Sequence, residues 1–162
     1  MMLAYRLVRL IETHSDALAS SLFRKVQDSE FTRSYANVPP EELELRVREI
    51  YHHLGEWLLE KKDVDIERHY REIGARRYHQ KVPLIEVIWS IAATKENLWE
   101  FLTWESIQDR PVELFGELEV LQLLGRFFDR AIYYATAGYE EARGAKPAVS
   151  GGVAAHAAHS SR

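Results

Sequence analysis

The chain has 162 residues, a formal net charge of -4, 46% hydrophobic residues and 28% charged residues, a composition typical of one ordinary globular domain. It contains no cysteine, which excludes disulfides, thiolate metal sites and cysteine nucleophiles. The charge balance shows no excess of basic residues of the kind that indicates nucleic-acid binding. No apolar run approaches the roughly 20 residues that span a bilayer, and the N-terminus lacks signal-peptide features. The sequence therefore predicts a cytoplasmic protein that binds neither nucleic acid nor membrane.

Three helices and one loop are predicted in the first part of the chain. Apolar residues recur at helical spacing over residues 3–14, and Ser15 offers a capping group for a second helix that extends to about Asp28. Residues 29–40 mix polar and turn-forming residues without an apolar stripe, so they predict a loop. A proline pair and three glutamates then start a helix that ends with the lysines at residues 61–62, which suits the helix dipole at both ends.

Two helices are predicted in the middle of the chain. Asp63 or Asp65 caps a helix that ends near Gln80. Pro83 can open the next helix, whose wide apolar face continues to Leu102. The length of this apolar segment favours a helix over a buried strand, so we expect an all-α protein with about six helices.

The last predicted helix follows a break at residues 109–111 and runs from about Val112 to Arg143. At 1.5 Å per residue it would be about 45 Å long, so part of its apolar surface is expected to meet another subunit. Large side chains on this helix are expected to make dimer or core contacts: Leu121, Phe127, Phe128, Ile132, Tyr134 and Tyr139. Small residues dominate from Gly144, so we expect a helical domain at 1–143 and a flexible low-complexity tail at 144–162.

The middle of the chain also resembles a known family. The residues that carry the resemblance are Tyr70, Ile73-Gly74, Arg77, Pro83-Leu84 and Glu86-Val87. They resemble the N-terminal sensor domain of the RsbT co-antagonist proteins (RsbR/RsbRD type) that regulate the stressosome, and related domains precede some bacterial histidine kinases. The similarity covers residues 5–140. It implies a globin-like helical bundle, a homodimer, and a signal-input role without catalysis, with an output domain or signalling protein as a possible partner.

The same resemblance leaves a haem- or metal-binding globin-like sensor as the alternative. Related haem-binding sensors carry a histidine about two turns before a proline-containing helix start. Seven residues before Pro83 stands Arg76, which cannot ligate iron because it stays protonated. The resemblance therefore implies a non-haem domain without a cofactor, and His79 is the ligand only if the register is shifted.

Glu49 and His52 match one half of a carboxylate-bridged di-metal motif, because their spacing places both side chains on one helix face. No second Glu-x-x-His pair follows in the sequence. The two residues can also be explained as members of ordinary charge pairs on a solvated helix face. The sequence therefore predicts no metal site, and Glu49 with His52 is retained only as an alternative.

A basic cluster of Arg76, Arg77, His79 and Lys81 precedes Pro83. Together with the N-terminus of the following helix it is a candidate site for an anion or an acidic partner, and Trp89 is a candidate pocket residue. The alternative is that cations simply favour a helix C-terminus and that the tryptophans form core. The serines show no nucleophile motif, so we predict no catalytic residue and no enzyme activity.

Overall fold

The structure, a computed structural model, describes residues 2–106 and 114–145. Within these ranges the chain forms six α-helices, with a 3-10 helix at Glu30–Asn37 and a π-helical turn at Glu56–Glu60 between them. In chain order the α-helices are α1 (Met2–Thr13), α2 (Ser15–Asp28), α3 (Pro40–His52), α4 (Asp63–His79), α5 (Leu84–Ser106) and α6 (Leu114–Gly144). No described residue lies in a strand, which confirms the predicted all-α bundle with a long C-terminal helix.

One continuous core takes side chains from every α-helix. The apolar stripes of the sequence face this core because burial of apolar surface is the main favourable term in folding. Fully buried side chains from five of the helices meet there: Ile11, Leu22, Tyr51, Leu98, Leu124 and Phe128. The helices are thus held by shared burial rather than by their own propensity.

Helices α4 and α6 pack with their backbones in contact. A Cβ atom added at Gly74 would lie 1.9 Å from the carbonyl oxygen of Ala135, and one added at Gly138 would lie 2.2 Å from the carbonyl oxygen of Arg71. Neither glycine has a positive φ, so the conformation itself does not require glycine. The two glycines are needed because the helices approach too closely for a side chain between them.

The connection between α4 and α5 is a tight helix-ending turn. Lys81 adopts a left-handed conformation with φ of 59°, its N–H donates to the carbonyl of Tyr78, and the N–H of Val82 donates to the carbonyl of Arg77. This pattern satisfies the last carbonyl groups of α4 and is most often built on glycine. The carbonyl of Pro83 then accepts the first hydrogen bonds of α5, as the sequence predicted for this proline.

The prediction of a loop over residues 29–40 was wrong for most of that segment. Residues Glu30–Asn37 form a 3-10 helix whose buried residues Thr32 and Tyr35 are three positions apart. The segment is kinked at Thr32, whose φ of -131° and ψ of 31° are not helical, so it consists of two short 3-10 pieces rather than one regular helix.

The helix predicted up to residue 62 is interrupted. Helix α3 ends at His52, and the π turn begins after Gly55, whose N–H donates to the carboxylate of Glu12 at 2.7 Å. A carboxylate from α1 therefore satisfies the backbone donor at the interruption, a long-range contact that helical periodicity does not show.

Some predictions fall outside the described residues. The break predicted at 109–111 and nearly all of the predicted tail at 144–162 belong to this part of the chain. Among the described helices, none combines the length and the low polarity that crossing a membrane requires.

Candidate functional site

The predicted basic cluster at the end of α4 is bound to a carboxylate from α3. The guanidinium Nη1 of Arg77 lies 3.0 Å from Oε1 of Glu42 and 2.7 Å from Oε1 of Gln80. Arg76 donates to both carboxylate oxygens of Glu42, and Nε2 of Gln80 lies 3.0 Å from Oε2. We call Glu42, Arg76, Arg77 and Gln80 the Glu42 cluster. It joins the first turn of α3 to the last turn of α4.

Charge explains the position of the three ionised members of the Glu42 cluster. The hydrogen bond from Arg76, followed by the contacts with Arg77, lowers the pKa of Glu42 to about 2. A carboxylate in the first turn of one helix and cations in the last turn of another both suit the helix dipole. An incoming anion at Arg76 or Arg77 would therefore compete with a carboxylate that already holds several hydrogen bonds.

Arg77 also borders an interior cavity of about 60 Å³ that lies between α2, α3, α4 and α5. The side chain is only 4% exposed, and its guanidinium carbon lies 5.7 Å from the ring centre of Tyr35. The other residues that line the cavity are mainly apolar. All of them lie in the part of the chain that the structure describes, and none is a histidine or carries a carboxylate. A cavity of this size has room for one or two water molecules or a very small ligand.

Tyr35 and Ser90 form the polar edge of this cavity. Their hydroxyl oxygens lie 2.6 Å apart, and the Ser90 hydroxyl donates to the carbonyl of Val87 at 2.7 Å. The Tyr35 hydroxyl must therefore be the donor in the Tyr35–Ser90 pair. Burial raises the pKa of Tyr35, so the phenol keeps the proton that this bond requires.

A second pocket of about 230 Å³ adjoins the interior cavity at Tyr35. Val26, Tyr35 and Leu43 line both spaces, so these three side chains lie between them. The 3-10 helix supplies Tyr35 as well as Arg33 at the second pocket.

His79 does not line the cavity. Its ring is exposed and lies edge-on to the ring of Tyr78 at 5.3 Å. The position proposed for a haem ligand in the alternative interpretation is thus a surface position on the last turn of α4.

Trp89 is exposed on the outer face of α5, where its ring lies 4.4 Å from the ring of Phe31. Ile85, one turn earlier, is 75% exposed, and Trp99 is 41% exposed further along the same helix. We call Phe31, Ile85, Trp89 and Trp99 the α5 outer face. Exposed aromatic and aliphatic side chains grouped in this way are typical of an interaction surface.

The alternative metal residues have other partners. Glu49 pairs with Arg46 at 3.6 Å, while Nδ1 of His52 lies 3.3 Å from the hydroxyl of Ser15. In the portion of the chain that the structure describes, no group of three or more histidine and acidic side chains could hold a metal ion.

The six residues proposed for dimer or core contacts on α6 lie at different depths in the subunit. Phe127, Phe128 and Tyr139 are buried in the core, and the Tyr139 hydroxyl donates to the carbonyl of Val82 at 2.8 Å. Partly exposed side chains make up the rest: Leu121, Ile132 and Tyr134. The hydroxyl of Tyr134 donates to the carboxylate of Asp63 at 2.8 Å. The three buried aromatics therefore pack within their own subunit.

Sequence reasoning missed a buried polar network around Asn97. Its amide nitrogen donates to the carbonyl of Leu18 at 3.0 Å and to the hydroxyl of Tyr51 at 3.1 Å, and its oxygen accepts from Lys25 at 2.8 Å. The available signal was the spacing of Ser90, Thr94 and Asn97, which places three polar residues on the buried face of α5.

The comparisons with known proteins agree with the resemblance seen in the sequence. The family model described as "RsbT co-antagonist protein rsbRD N-terminal domain" matches residues 13–146, which is most of the chain. No curated protein and no solved structure gives a significant match. The match covers all helices from α2 to α6, including the close contact of α4 with α6. The chain therefore belongs to the family of RsbT co-antagonist protein rsbRD N-terminal domains.

Proposed function

We propose that this chain is a non-catalytic signal-input domain in stressosome-type regulation, that it acts in the cytoplasm, and that it works as a homodimer. The observation that carries the proposal is the family match over residues 13–146. The arrangement of α5 supports the same role because it connects an interior cavity with an exposed apolar surface.

The α5 outer face is the surface we propose for the dimer contact. The three buried aromatic side chains of α6 belong to the core of their own subunit, whereas Ile85 and Trp89 of α5 are exposed. Burying one side chain of this size contributes about 1.5–3 kcal/mol, and a twofold axis would bury each of them twice. That part of α6 meets another subunit stays a prediction, and the proposal adds α5 as the centre of the contact.

Signal transfer would run through the two sides of α5. Val87, Ser90 and Thr94 line the interior cavity, while Ile85 and Trp89 lie on the opposite side of the same helical turns. A ligand that favours one position of α5 in the cavity would also change how the outer face packs against its partner. Coupling of this kind requires that the ligand binds the two packings with different affinities.

Light scattering after size exclusion tests the dimer. The unmodified chain should be a dimer at micromolar concentration, and Trp89→Glu should convert it to a folded monomer because the interface would then bury a charge. Tyr133→Glu, at a 68% exposed aromatic residue on α6, is the matched control and should remain dimeric. A monomeric parent protein, or a Trp89→Glu variant that stays dimeric, would count against this interface.

A domain exchange tests the regulatory role. Residues 1–145 would replace the N-terminal domain of an RsbT co-antagonist protein, and RsbT-dependent output would be measured in cells. The hybrid should restore regulation, and the hybrid with Trp89→Glu should not. A folded, dimeric hybrid that restores nothing would contradict the proposed function while leaving the dimer intact.

A further inference from the structure

A pocket of about 250 Å³ lies between the π turn, the start of α4 and the middle of α6, on a part of the surface separate from the interior cavity. We call it the Arg126 pocket. Its rim carries Lys61, Arg126 and Arg130, and Asp63 is the one acidic residue among its lining residues. Its volume is slightly below the range of about 300–1,000 Å³ that is usual for drug-sized ligands, so a smaller molecule fits it better.

The rim of the pocket has an excess of positive charge. Asp63 is occupied by Nε of Arg130 at 3.2 Å and by the hydroxyl of Tyr134 at 2.8 Å. Within the described residues, Lys61 and Arg126 make no ion pair with a carboxylate. Two cations thus remain at the rim in a chain whose net charge is -4, which favours an anionic ligand.

The floor of the pocket is apolar and partly aromatic. Phe127 and Ile66 are buried beneath it, and the ring of Trp57 lies 6.1 Å from the ring of Phe127. The ammonium group of Lys61 lies 5.9 Å from the centre of the Trp57 ring. A flat ring can pack on this floor while a negative group on its edge reaches the cationic rim.

The π turn gives a second, independent reason to regard this pocket as a site. The N–H of Lys61 donates to the carbonyl of Glu56 at 2.7 Å, a spacing of five residues that is rare in helices and frequent at functional sites. Trp57 and Leu58 of the turn are partly buried and pack against the core. Its effect is to place Trp57 at the floor and Lys61 just after it at the rim.

We propose that the Arg126 pocket binds a single-ring aromatic carboxylate, with the ring on Trp57 and Phe127 and the carboxylate between Lys61 and Arg126. This site is independent of the dimer contact on α5. Failure of one proposal therefore leaves the other unchanged, and each has its own measurement.

Benzoate is the probe for the proposal. The unmodified protein, labelled with ¹⁵N, would be titrated with benzoate while the indole N–H resonance of Trp57, assigned from the spectrum of Trp57→Phe, is followed. A ligand of this size should bind with a dissociation constant of about 0.1–3 mM. Acetate, which lacks the ring, and benzyl alcohol, which lacks the charge, should each bind about tenfold more weakly or worse.

Arg126→Glu is the decisive variant, because Arg126 is exposed and its substitution should leave the fold intact, as circular dichroism would verify. It should weaken benzoate binding by about tenfold or more. The matched control is Arg24→Glu, the same charge change on α2 outside the pocket, which should alter the affinity less than about twofold. A titration that does not saturate, equal binding of benzyl alcohol, or equal weakening by the two variants would overturn the proposal.

Discussion

Gly138→Ala tests the close contact of α4 with α6. An added Cβ atom would lie 2.2 Å from the carbonyl oxygen of Arg71, whereas a carbon–oxygen contact normally needs about 3.3 Å, so the helices must separate by about 1 Å. The contacting atom belongs to the backbone of Arg71, which cannot move aside by changing rotamer as a side chain can. Overpacking of this kind usually costs about 1–3 kcal/mol, and the alanine returns up to about 1 kcal/mol through helix propensity.

Gly125→Ala is the matched control because it makes the same chemical change in the same helix. A Cβ atom at Gly125 would have no neighbour within 4 Å. The control should therefore gain about 0.5–1 kcal/mol of stability from helix propensity. Since the clash at Gly138 is with rigid backbone, we expect that variant to lose about 2 kcal/mol net, which leaves about 3 kcal/mol between the two variants.

Urea unfolding followed by circular dichroism would measure this difference at fixed protein concentration, because the proposed dimerisation would make the apparent stability concentration-dependent. Gly74→Ala should behave like Gly138→Ala, since its Cβ atom would lie 1.9 Å from the carbonyl oxygen of Ala135. If Gly138→Ala were as stable as Gly125→Ala, the proposed backbone contact of α4 with α6 would be refuted.

Three further substitutions probe the α4–α5 turn, the Glu42 cluster and the polar network, each by urea unfolding. Lys81→Gly should add about 0.5–1 kcal/mol because Lys81 has a φ of 59°, and a loss would contradict the left-handed turn. Glu42→Gln should cost about 1–2 kcal/mol at neutral pH. Because folding lowers the pKa of Glu42, the stabilisation by its carboxylate is complete above about pH 4.5 and is lost as the pH falls toward about 2. If acid destabilised the parent protein and the variant equally, this role of Glu42 would be contradicted. Asn97→Leu should cost about 2–3 kcal/mol by removing the buried hydrogen bonds of Asn97 to the carbonyl of Leu18 and the hydroxyl of Tyr51, and combining it with Tyr51→Phe should cost less than the sum of the two single variants.

Most of the fold could be predicted because its signals are local. Helix α2 was expected to reach Asp28, α4 to end near Gln80 and α5 to begin at Pro83, and all three predictions agree with the structure. Apolar periodicity with proline or a capping residue at the ends was sufficient for these helices. The 3-10 helix was missed because two buried residues three positions apart, Thr32 and Tyr35, are too short a pattern to recognise.

The candidate sites could be predicted only in part because their contacts are long-range. The sequence placed Arg76 and Arg77 together at a helix end but gave no indication that Glu42, more than 30 residues earlier, holds both. It likewise gave no signal that Lys61 and Arg126 would meet at one pocket. Local charge patterns predict which side chains are grouped, whereas the neutralising partner depends on how the helices are assembled.

The backbone contact at Gly74 and Gly138 also limits how this domain can transmit force. Where two helix backbones touch, no side chains lie between them that could change rotamer. Helices α4 and α6 should therefore move together as one rigid unit. The motion would have to occur where side chains separate the elements, along the inner side of α5, where the small cavity leaves some freedom. A disturbance near Tyr35 would then tilt α5 against a nearly fixed pair of helices and change the angle of its exposed face.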